Sequence, residues 1–495
     1  MTQSKRSTSK LKKTVGWHRQ LAWVGGLLLC LFIVSAMTHP LLTWTGPQPV
    51  KMRPPSLSVG ADSLSSLVNV LKKHNIDRAA FVKLVASVDG PVLQVTEEQH
   101  APRRYFDPIS LVELANFEQR HVEWLARYYT GQADTPIRAI TFQTEFSDAY
   151  PSVNRLLPVY QVEFDDASNL SAFVYTELNA LAALSNSWRT RLQFVFKNIH
   201  TLSWLNGFDN ARVILMVLMM ACVLGLSACG IGLLVLLKNR KMPTTQRRVH
   251  RAVAYLVCVP LLGFSISGLF HLLHSAYGDE DRLMQVNNMN GLSELVVSST
   301  LQSSGSLTSL SLNSAALFET SDGQLLYRLS EAHKTTGKPM TQTQRFNGIS
   351  QEKQARYIDA LTGRESLMDD QQAASDVLAK LDVSGEVISA QRVTHFGPNY
   401  DFRNKRLPVW ALTLDTQETV FVDVNTGIIV DRSNALKRAE GLSFSMLHKW
   451  NFLRPVMGRK SRDAVLMTVL CVSLVLVITG FVLLLRRRKQ QTQQS

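Results

Sequence analysis

The stretch HRQLAWVGGLLLCLFIVSAMTH (residues 18–39) recurs in related form as HRAVAYLVCVPLLGFSISGLFH (residues 250–271). Each copy opens with His-Arg, ends with a histidine 21 positions later, and has a serine, Ser35 or Ser267, four residues before that histidine. At about 1.5 Å per residue, this interval spans roughly 31 Å of helix, close to the thickness of a bilayer's hydrocarbon core. At about 100° per residue, the two imidazoles lie within roughly 60° of each other around the helix. Each stretch therefore predicts a membrane-spanning helix with one imidazole near each membrane face.

The histidines at the ends of these helices are candidate ligands for haem iron. Two axial imidazoles leave no open coordination site on the iron, which suits electron transfer. If the two helices face each other, His18 would pair with His250 at one end, and His39 with His271 at the other. The serine one turn before the second histidine would either hold that histidine's other ring nitrogen or pack against a neighbouring helix. Histidines near the ends of a span also occur simply at the polar interface, but the duplication favours two haems.

Four apolar runs of membrane-spanning length divide the 495-residue chain. They lie at 21–38, 213–237, 252–273 and 464–485. The net charge is +14, yet sixteen positive charges fall within residues 1–20, 238–251 and 486–495, which contain no acidic residue. Basic residues concentrated beside spans indicate the cytoplasmic side. We therefore expect the two termini and the 238–251 loop to be cytoplasmic, and segments 39–210 and 274–463 to be exported. Since little net charge remains elsewhere, no nucleic-acid partner is expected.

The five cysteines exclude a disulfide scaffold in the exported segments. All of them lie in the apolar runs, where small apolar side chains pack between helices: Cys30, Cys222, Cys229, Cys258 and Cys471.

The duplication continues through the exported segments. Matching pairs are RYFD (104–107) with RYID (356–359), F-x3-Y-x3-N-x2-L-P-V-aromatic at 146–160 and 396–410, and F-x2-[I/L]-H at 196–200 and 444–448. Each repeat thus runs helix, exported domain, amphipathic segment, helix. The copies are 232 residues apart at the histidine helices and about 250 apart afterwards, so an insertion separates them. The Ser-, Leu- and Thr-rich stretch 298–316 is its expected site, as a solvated linker.

Alternating apolar and polar residues predict a β-hairpin over 159–175 and another over 409–422. Segments 110–128 and 370–381 are typical of amphipathic helices. The predicted fold is an α-helical membrane protein with four transmembrane helices and two exported α+β domains.

These features together resemble the PepSY-associated transmembrane family. The resemblance rests on the His-Arg start of a span, the Leu-Pro-Val-aromatic strand, the Asp423-x2-Thr426-Gly427 turn and the Leu447-His448 pair before the last helix. It covers nearly the whole chain except the tails and 298–316. It implies four membrane helices, two exported PepSY-type domains and, as in characterised ferric-siderophore reductases of bacterial inner membranes, b-type haem. The first domain has Tyr175 to Asn179 where the Asp-x2-Thr-Gly turn is expected, so the two domains need not do the same work.

The duplication leaves alternatives open at the exported end. His200 and His448 form a third symmetric pair, as alternative ligands or as the lining of a substrate site above the outer haem. His274 lies one turn from His271, breaks the symmetry and could replace it. Arg19 and Arg251 would contact haem propionates or serve as topology charges.

The leading hypothesis is an inner-membrane electron conduit with two b haems that reduces a periplasmic ferric-siderophore or other iron complex. Its donor would be membrane quinol or a separate cytoplasmic reductase, because the cytoplasmic segments are too short for a flavin or nicotinamide domain. The alternative is a membrane-anchored PepSY module that binds or regulates exported proteins without redox activity. A permease-like role in iron uptake is a third possibility, since parallel repeats occur in transporters.

Overall fold

The structure is a computed structural model that describes residues 2–59, 61–98, 100–278, 288–292, 310–331, 355–397 and 399–493. The chain divides into two compact units. The helical unit comprises residues 1–46, 188–279 and 436–495, and the sheet unit comprises residues 47–187 and 280–435.

The described helices are α1 (Thr2–Thr45), α2 (Ala61–Lys73), α3 (Phe117–Thr130), α4 (Ser187–Val195), α5 (Asp209–Leu236), α6 (Thr245–Tyr277), α7 (Asp370–Lys380), α8 (Ala435–Ser443) and α9 (Arg454–Thr492). A single π-helical turn follows α4 at Phe196–His200, and another follows α8 at Phe444–His448. Two residues after the end of each turn, at Leu202 and at Trp450, the backbone is left-handed, with φ of 50° and 51°. The two repeats therefore build the same local path from the sheet unit to their second long helix.

Among the residues that the structure describes, four helical segments are long and apolar enough to cross a membrane: Ser9–Thr45, Ser203–Leu236, Thr245–Tyr277 and Asn451–Thr492. They coincide with the four predicted spans, and the prediction of a multi-pass membrane protein is confirmed at this level. Helices α1 and α6 each pack against both α5 and α9, so they lie diagonally across a four-helix bundle. A seam of buried aliphatic side chains, including Leu29, Val257 and Val477, joins them. The histidine-bearing helices therefore face each other across the bundle centre.

The first half of the chain contributes strands β1 (Leu57–Val59), β2 (Phe81–Ser87), β3 (Gly90–Thr96), β4 (Arg104–Phe106), β5 (Ile137–Gln143), β6 (Val159–Phe164), β7 (Ser171–Tyr175) and β8 (Ala180–Ser185). The second half contributes β9 (Leu310–Glu319), β10 (Leu325–Glu331), β11 (Arg356–Asp359), β12 (Glu365–Ser366), β13 (Val387–Val393), β14 (Val409–Leu414), β15 (Thr419–Asp423) and β16 (Ile428–Ser433).

The two halves share one sheet. Its order is β12-β11-β10-β9-β2-β3-β4, with β1 also paired to β9. At its centre β2 and β9 are antiparallel, with Lys83 opposite Ala316 and Leu84 opposite Ala315. Each half alone would leave a row of unpaired N–H and C=O groups along that strand, and pairing the two edges satisfies them. Segments 39–210 and 274–463 were predicted as separate domains, but their portions 47–187 and 280–435 are joined in one sheet unit.

Two four-stranded antiparallel sheets complete the sheet unit, one for each repeat: β5-β6-β7-β8 and β13-β14-β15-β16. They contain the predicted hairpins, since β6 pairs with β7 and β14 pairs with β15. Helix α3 packs on the first sheet and α7 on the second. The α+β prediction is therefore correct for the secondary structure.

Two local predictions need correction. The helix expected over 110–128 begins only at Phe117, because Asn116 has a left-handed backbone and the Asp107 carboxylate accepts bonds from the N–H groups of Ile109 and Ser110. The linker expected over 298–316 is wrong for residues 310–316, because β9 starts at Leu310 and both Leu312 and Ala315 are buried in the shared core. Residues 298–309 lie outside the described residues.

The turn after β7 has a different sequence from the Asp423-x2-Thr426-Gly427 turn that follows β15. Strand registers place Tyr175 opposite Ala180, as Asp423 lies opposite Ile428. Asn179 (φ 48°) adopts the left-handed conformation that Gly427 (φ 60°) adopts after β15. Asparagine tolerates that conformation better than most residues. The backbone of the turn is therefore kept without the Asp-x2-Thr-Gly sequence.

The same turn places a carboxylate in the buried centre of the sheet unit. The Glu177 carboxylate contacts Lys83, accepts a bond from Thr96 (2.8 Å) and lies 3.4 Å from Arg103. Burial alone would raise the pKa of Glu177, but Lys83 and Arg103 hold that pKa below its ordinary value. Removing one member would leave uncompensated charge in the core.

Candidate functional site

The helical unit contains all seven histidines that the sequence singles out, and they fall at two levels. His18 and His250 lie near one end of the bundle, close enough to interact electrostatically. His39, His200, His271, His274 and His448 lie at the other end.

Each imidazole of the first level faces a glycine on the neighbouring helix of its own repeat. A Cβ added to Gly230 of α5 would lie 3.9 Å from His18 Cε1. A Cβ added to Gly480 of α9 would lie 3.2 Å from His250 Cε1, a distance that requires the ring to shift. The two glycines are 250 residues apart, as the duplication requires. They leave room for an imidazole at equivalent places in both repeats.

The ring nitrogens at this level are only partly satisfied by protein groups. His250 Nδ1 lies 3.1 Å from the Thr479 hydroxyl. His18 Nδ1 is buried and makes no hydrogen bond of good geometry with the described residues, although the Leu226 backbone lies close enough to act on the ring. A buried imidazole nitrogen without a well-placed partner is costly unless something else occupies it. Arg251, in contrast, donates to the Leu237 and Arg240 carbonyls at the end of α5, so it serves as a helix-end cation.

The π-helical turns hold His200 and His448 in equivalent settings. His200 Nδ1 is 3.0 Å from Ser35 Oγ, and His448 Nδ1 is 3.2 Å from Ser267 Oγ. His200 stacks on Phe196 and His448 on Phe444, both at 4.7 Å between ring centroids. One of the two roles that the sequence left open for these serines was to hold His39 and His271, but they contact the third pair of histidines instead. The sequence spacing identified the serines but not their partner.

These serines also decide which ring nitrogen carries the proton. Ser35 Oγ donates to the Leu31 carbonyl (2.8 Å), and Ser267 Oγ donates to the Phe264 carbonyl (3.2 Å). A hydroxyl has one proton, so a serine that donates to the carbonyl of its own helix accepts from the histidine's Nδ1–H. Nε2 of His200 and His448 then keeps its lone pair, which is the form that a metal ligand needs.

His271 and His39 occupy equivalent positions but have different surroundings. His271 Nδ1 lies 2.6 Å from Glu440 Oε1, and its ring stacks 4.2 Å from Phe444. A carboxylate only accepts, so His271 donates through Nδ1 and presents Nε2. The ring centroids of His39 and Phe196 are 6.4 Å apart. The cations Lys449, Arg459 and Arg462 act on His39 electrostatically. One outer histidine is therefore paired with an acid and the other faces cations.

Several of the outer histidines lie close to one another. His39 lies near His200, and His448 lies near both His200 and His271. His274 follows one turn after His271 and has a buried Nε2 without a partner among the described residues. The pairing of His39 with His271 stays a prediction. Within the described part of the chain, no group of three or more His, Cys, Asp or Glu side chains is placed to hold a bare metal ion.

Sequence reasoning missed three features of the site: the glycines Gly230 and Gly480, the acid Glu440, and the stacking rings of Phe196 and Phe444. A signal for the first was present, because Leu226-x3-Gly230 recurs as Leu476-x3-Gly480 at the offset of the repeat. No pattern marked Glu440, whose counterpart at the offset of His200 and His448 is Leu192.

No protein-family model matches this chain, and no curated protein sequence matches it.

Proposed function

We propose that this protein is a b-type haem electron-transfer protein of a bacterial inner membrane, which reduces a periplasmic ferric-siderophore or other iron complex. One observation carries the proposal: a single bundle of apolar helices holds repeat-related imidazoles at both of its ends. Helices α1 and α6 lie diagonally, so imidazoles at matching depth face the bundle interior. Histidines at membrane depth are costly and are functional candidates by default.

The residues present fit such a cofactor at both levels. At the first level, the poorly hydrogen-bonded Nδ1 of His18 and the glycines opposite His18 and His250 supply donors and space. At the outer level, Ser267 and Glu440 orient His448 and His271 so that each presents Nε2. A haem held by two imidazoles gains and loses one electron without opening a coordination site.

We assign the inner ligands to His18 and His250. The outer ligands come from His39 and His271, with His200, His448 and His274 as alternatives. The positive-inside pattern supports a cytoplasmic first level and an exported outer level. Electrons would then enter from quinol or a cytoplasmic reductase and leave toward a periplasmic acceptor.

A reduced-minus-oxidised spectrum of the detergent-purified protein, with haem quantified by pyridine haemochrome, tests the proposal. About two b haems per chain are expected, because there are two levels of paired imidazoles. His271→Leu and His448→Leu then assign the outer ligand, since only the true ligand's loss should abolish one haem's spectrum. Protein without haem, from cells supplied with iron and haem precursor, would overturn the proposal.

A second candidate is a membrane-anchored binding module, and the edges of the two small sheets favour it. Strands β5 and β13 are edge strands of seven residues each, and β13 is largely exposed. An extended segment of another protein can add to such an edge through main-chain hydrogen bonds. Protein that is purified without haem and still binds an extended peptide would support this second function.

A further inference from the structure

Exposed basic side chains surround one end of the helical bundle, the end that holds His18 and His250. They come from α1, from the loop between α5 and α6, from the first turn of α6 and from the last turns of α9. We call them the inner basic surface: Lys10, Lys12, Lys13, Lys238, Arg240, Lys241, Arg247, Arg248, Arg486, Arg487, Arg488 and Lys489. All of them belong to the helical unit.

These charges are not neutralised by the described part of the chain. Segments 1–20, 238–251 and 486–495 contain no Asp or Glu, and no side chain of the inner basic surface forms an ion pair with a described residue. Ion pairs do occur at the other end of the bundle, where Arg212 pairs with Asp209 and Arg462 with Asp463. An acidic partner can therefore bind the inner basic surface without displacing a carboxylate of the protein.

Two arginines of α6 fix the loop 238–244 through its backbone. Arg251 Nη1 donates to the Arg240 carbonyl (2.8 Å), and Arg248 Nε donates to the Met242 carbonyl (3.2 Å). The side chains of the loop's own cations, including that of Arg240, stay exposed. The fold therefore holds the backbone of this part of the surface while its charges face outward.

Orientation of the spans explains why basic residues lie at this end, but not how far they reach. Trp17 is 61% exposed, and tryptophan side chains concentrate at the level of the lipid headgroups. Lys13, Lys12 and Lys10 precede Trp17 by four to seven residues, about 6 to 10 Å of helix. The headgroup region is only about 5 to 7 Å thick on each side of a bilayer. The lysines farthest from Trp17 would therefore extend into water, where a soluble partner meets them.

We infer that the inner basic surface docks an acidic electron-carrying protein, which reduces the haem proposed at His18 and His250. Opposite charges steer and orient such an encounter. His18 follows Lys13 by five residues, about 8 Å along α1, so a docked donor would lie next to the inner ligands. The donor loses one electron, one haem iron goes from ferric to ferrous, and no bond forms or breaks. The donor's redox role rests on the proposed function, whereas docking of an acidic protein does not.

Charge separates this donor from membrane quinol, the other donor considered above. A quinol is uncharged and dissolves in the hydrocarbon core, so exposed cations outside the span do not help to bind it. An acidic protein gains from each of them, and that gain falls as salt screens the charges. The inner basic surface therefore favours a protein donor.

The triple variant Lys10→Gln, Lys12→Gln, Lys13→Gln tests the docking. It keeps thirteen of the sixteen basic residues that orient the spans, and protease access to a C-terminal tag verifies that orientation. The matched control carries Lys72→Gln, Arg364→Gln and Lys460→Gln, which are exposed, lie outside the inner basic surface and remove the same charge.

Each full-length protein is placed in phosphatidylcholine nanodiscs, and binding of an acidic flavodoxin is titrated at low and high salt. Stopped-flow absorption then follows haem reduction by reduced flavodoxin and, separately, by the uncharged reductant duroquinol. Wild-type protein should bind flavodoxin at low salt and release it as ionic strength rises. The triple variant should weaken binding and slow reduction by flavodoxin about tenfold. The control variant should behave like wild type, and duroquinol should reduce all three proteins equally.

Equal flavodoxin binding by the triple and control variants, or binding that salt does not weaken, would overturn the inference. Native mass spectrometry in phosphatidylglycerol tests a lipid as the occupant. If only the triple variant loses bound phosphatidylglycerol while flavodoxin binding is equal in all proteins, the surface belongs to anionic lipid and the inference is wrong. Wild-type protein without haem would overturn the donor role together with the proposed function. The flavodoxin titration needs no haem, and it still decides whether the surface docks an acidic protein.

Discussion

Single hydrogen bonds decide which nitrogen each outer histidine presents. Ser267 accepts from His448 because its own proton goes to the Phe264 carbonyl, and Ser35 does the same for His200. Glu440 has the stronger effect on His271, since a carboxylate is a charged acceptor. Positioning of the imidazoles therefore depends on neighbouring side chains that are not themselves proposed as haem ligands.

We predict that Ser267→Ala allows His448 to populate both of its neutral tautomers. Without the hydroxyl, the proton moves more freely between Nδ1 and Nε2, and the bundle loses about 1 kcal/mol of stability. Nitrogen-15 chemical shifts of labelled His448 should move toward those of a tautomer mixture. Ser265→Ala is the matched control, because Ser265 bonds only a backbone carbonyl of its own helix. Equal shifts in both variants would contradict the prediction.

In the sheet unit, burial makes His121 a source of acid sensitivity. Its ring is fully buried, stacks near Trp124 and lies 2.8 Å from Asn179 Oδ1, and burial lowers its pKa from 6.5 to about 4. As the pH falls from 6.5 toward 4, the unfolded chain binds a proton that the folded chain does not, so unfolding is favoured.

We expect this one histidine to remove about 3 kcal/mol from the free energy of unfolding of the sheet unit across that pH window. Hydrogen exchange of peptides from α3 and β8 measures the loss. His121→Gln should weaken the pH dependence, whereas substitution of the exposed His100 by glutamine should keep it. An unchanged pH profile in His121→Gln would contradict the assignment.

At the scale of elements, close contact between helices makes room for the inner imidazoles. Gly230 and Gly480 bring α5 and α9 against His18 and His250, and a larger side chain would fill that space. Glycine lowers helix propensity by roughly 1 kcal/mol relative to alanine, so its presence in both long helices has a local packing reason.

We predict that Gly480→Ala displaces the His250 ring and removes one haem spectrum, while helix stability stays equal or rises. The added Cβ would meet His250 Cε1 at 3.2 Å, closer than ordinary contact. Gly232→Ala is the control, since its Cβ would meet Thr14 at 3.7 Å. Haem content and thermal unfolding of the two purified variants separate a local from a general effect; full haem content in Gly480→Ala would refute the prediction.

At the scale of the whole molecule, neither repeat is complete on its own. Each supplies two of the four bundle helices and about half of the central sheet of the sheet unit. The core of that sheet mixes Leu84 and Leu93 from the first half with Leu317 and Tyr327 from the second. Separating the repeats would expose both the β2–β9 edge and this apolar core.

We therefore predict that two co-expressed halves, split within the loop 238–244, assemble and copurify from membranes through a tag on one half. Ala315→Pro in the second half should greatly reduce the yield, because proline removes an N–H group where β9 pairs with β2 and clashes with the ladder. Halves that purify separately would show that the shared sheet does not hold the repeats together.

The amino-acid sequence by itself determined the elements with strong periodicity. The four spans follow from unbroken apolar runs, and the hairpins at 159–175 and 409–422 follow from alternation around short polar turns. It also identified the histidines of the bundle, because the duplication marks six of them in three pairs and His274 follows His271 by one helical turn. These are local properties, which the chain expresses wherever the element packs.

Only the tertiary structure decided how these elements meet. The pairing of β2 with β9, the hydrogen bonds between Ser35 and His200 and between Ser267 and His448, and the contact of His271 with Glu440 all join residues more than 160 positions apart. Such contacts depend on how whole helices and strand edges pack, and no periodicity in one segment encodes its partner. The same limit explains why residues 310–316 were wrongly predicted as a linker, since they belong to β9 and pair with distant strands. The start of the 110–128 helix was wrong for a local reason, because the Asp107 carboxylate forms a turn before Phe117.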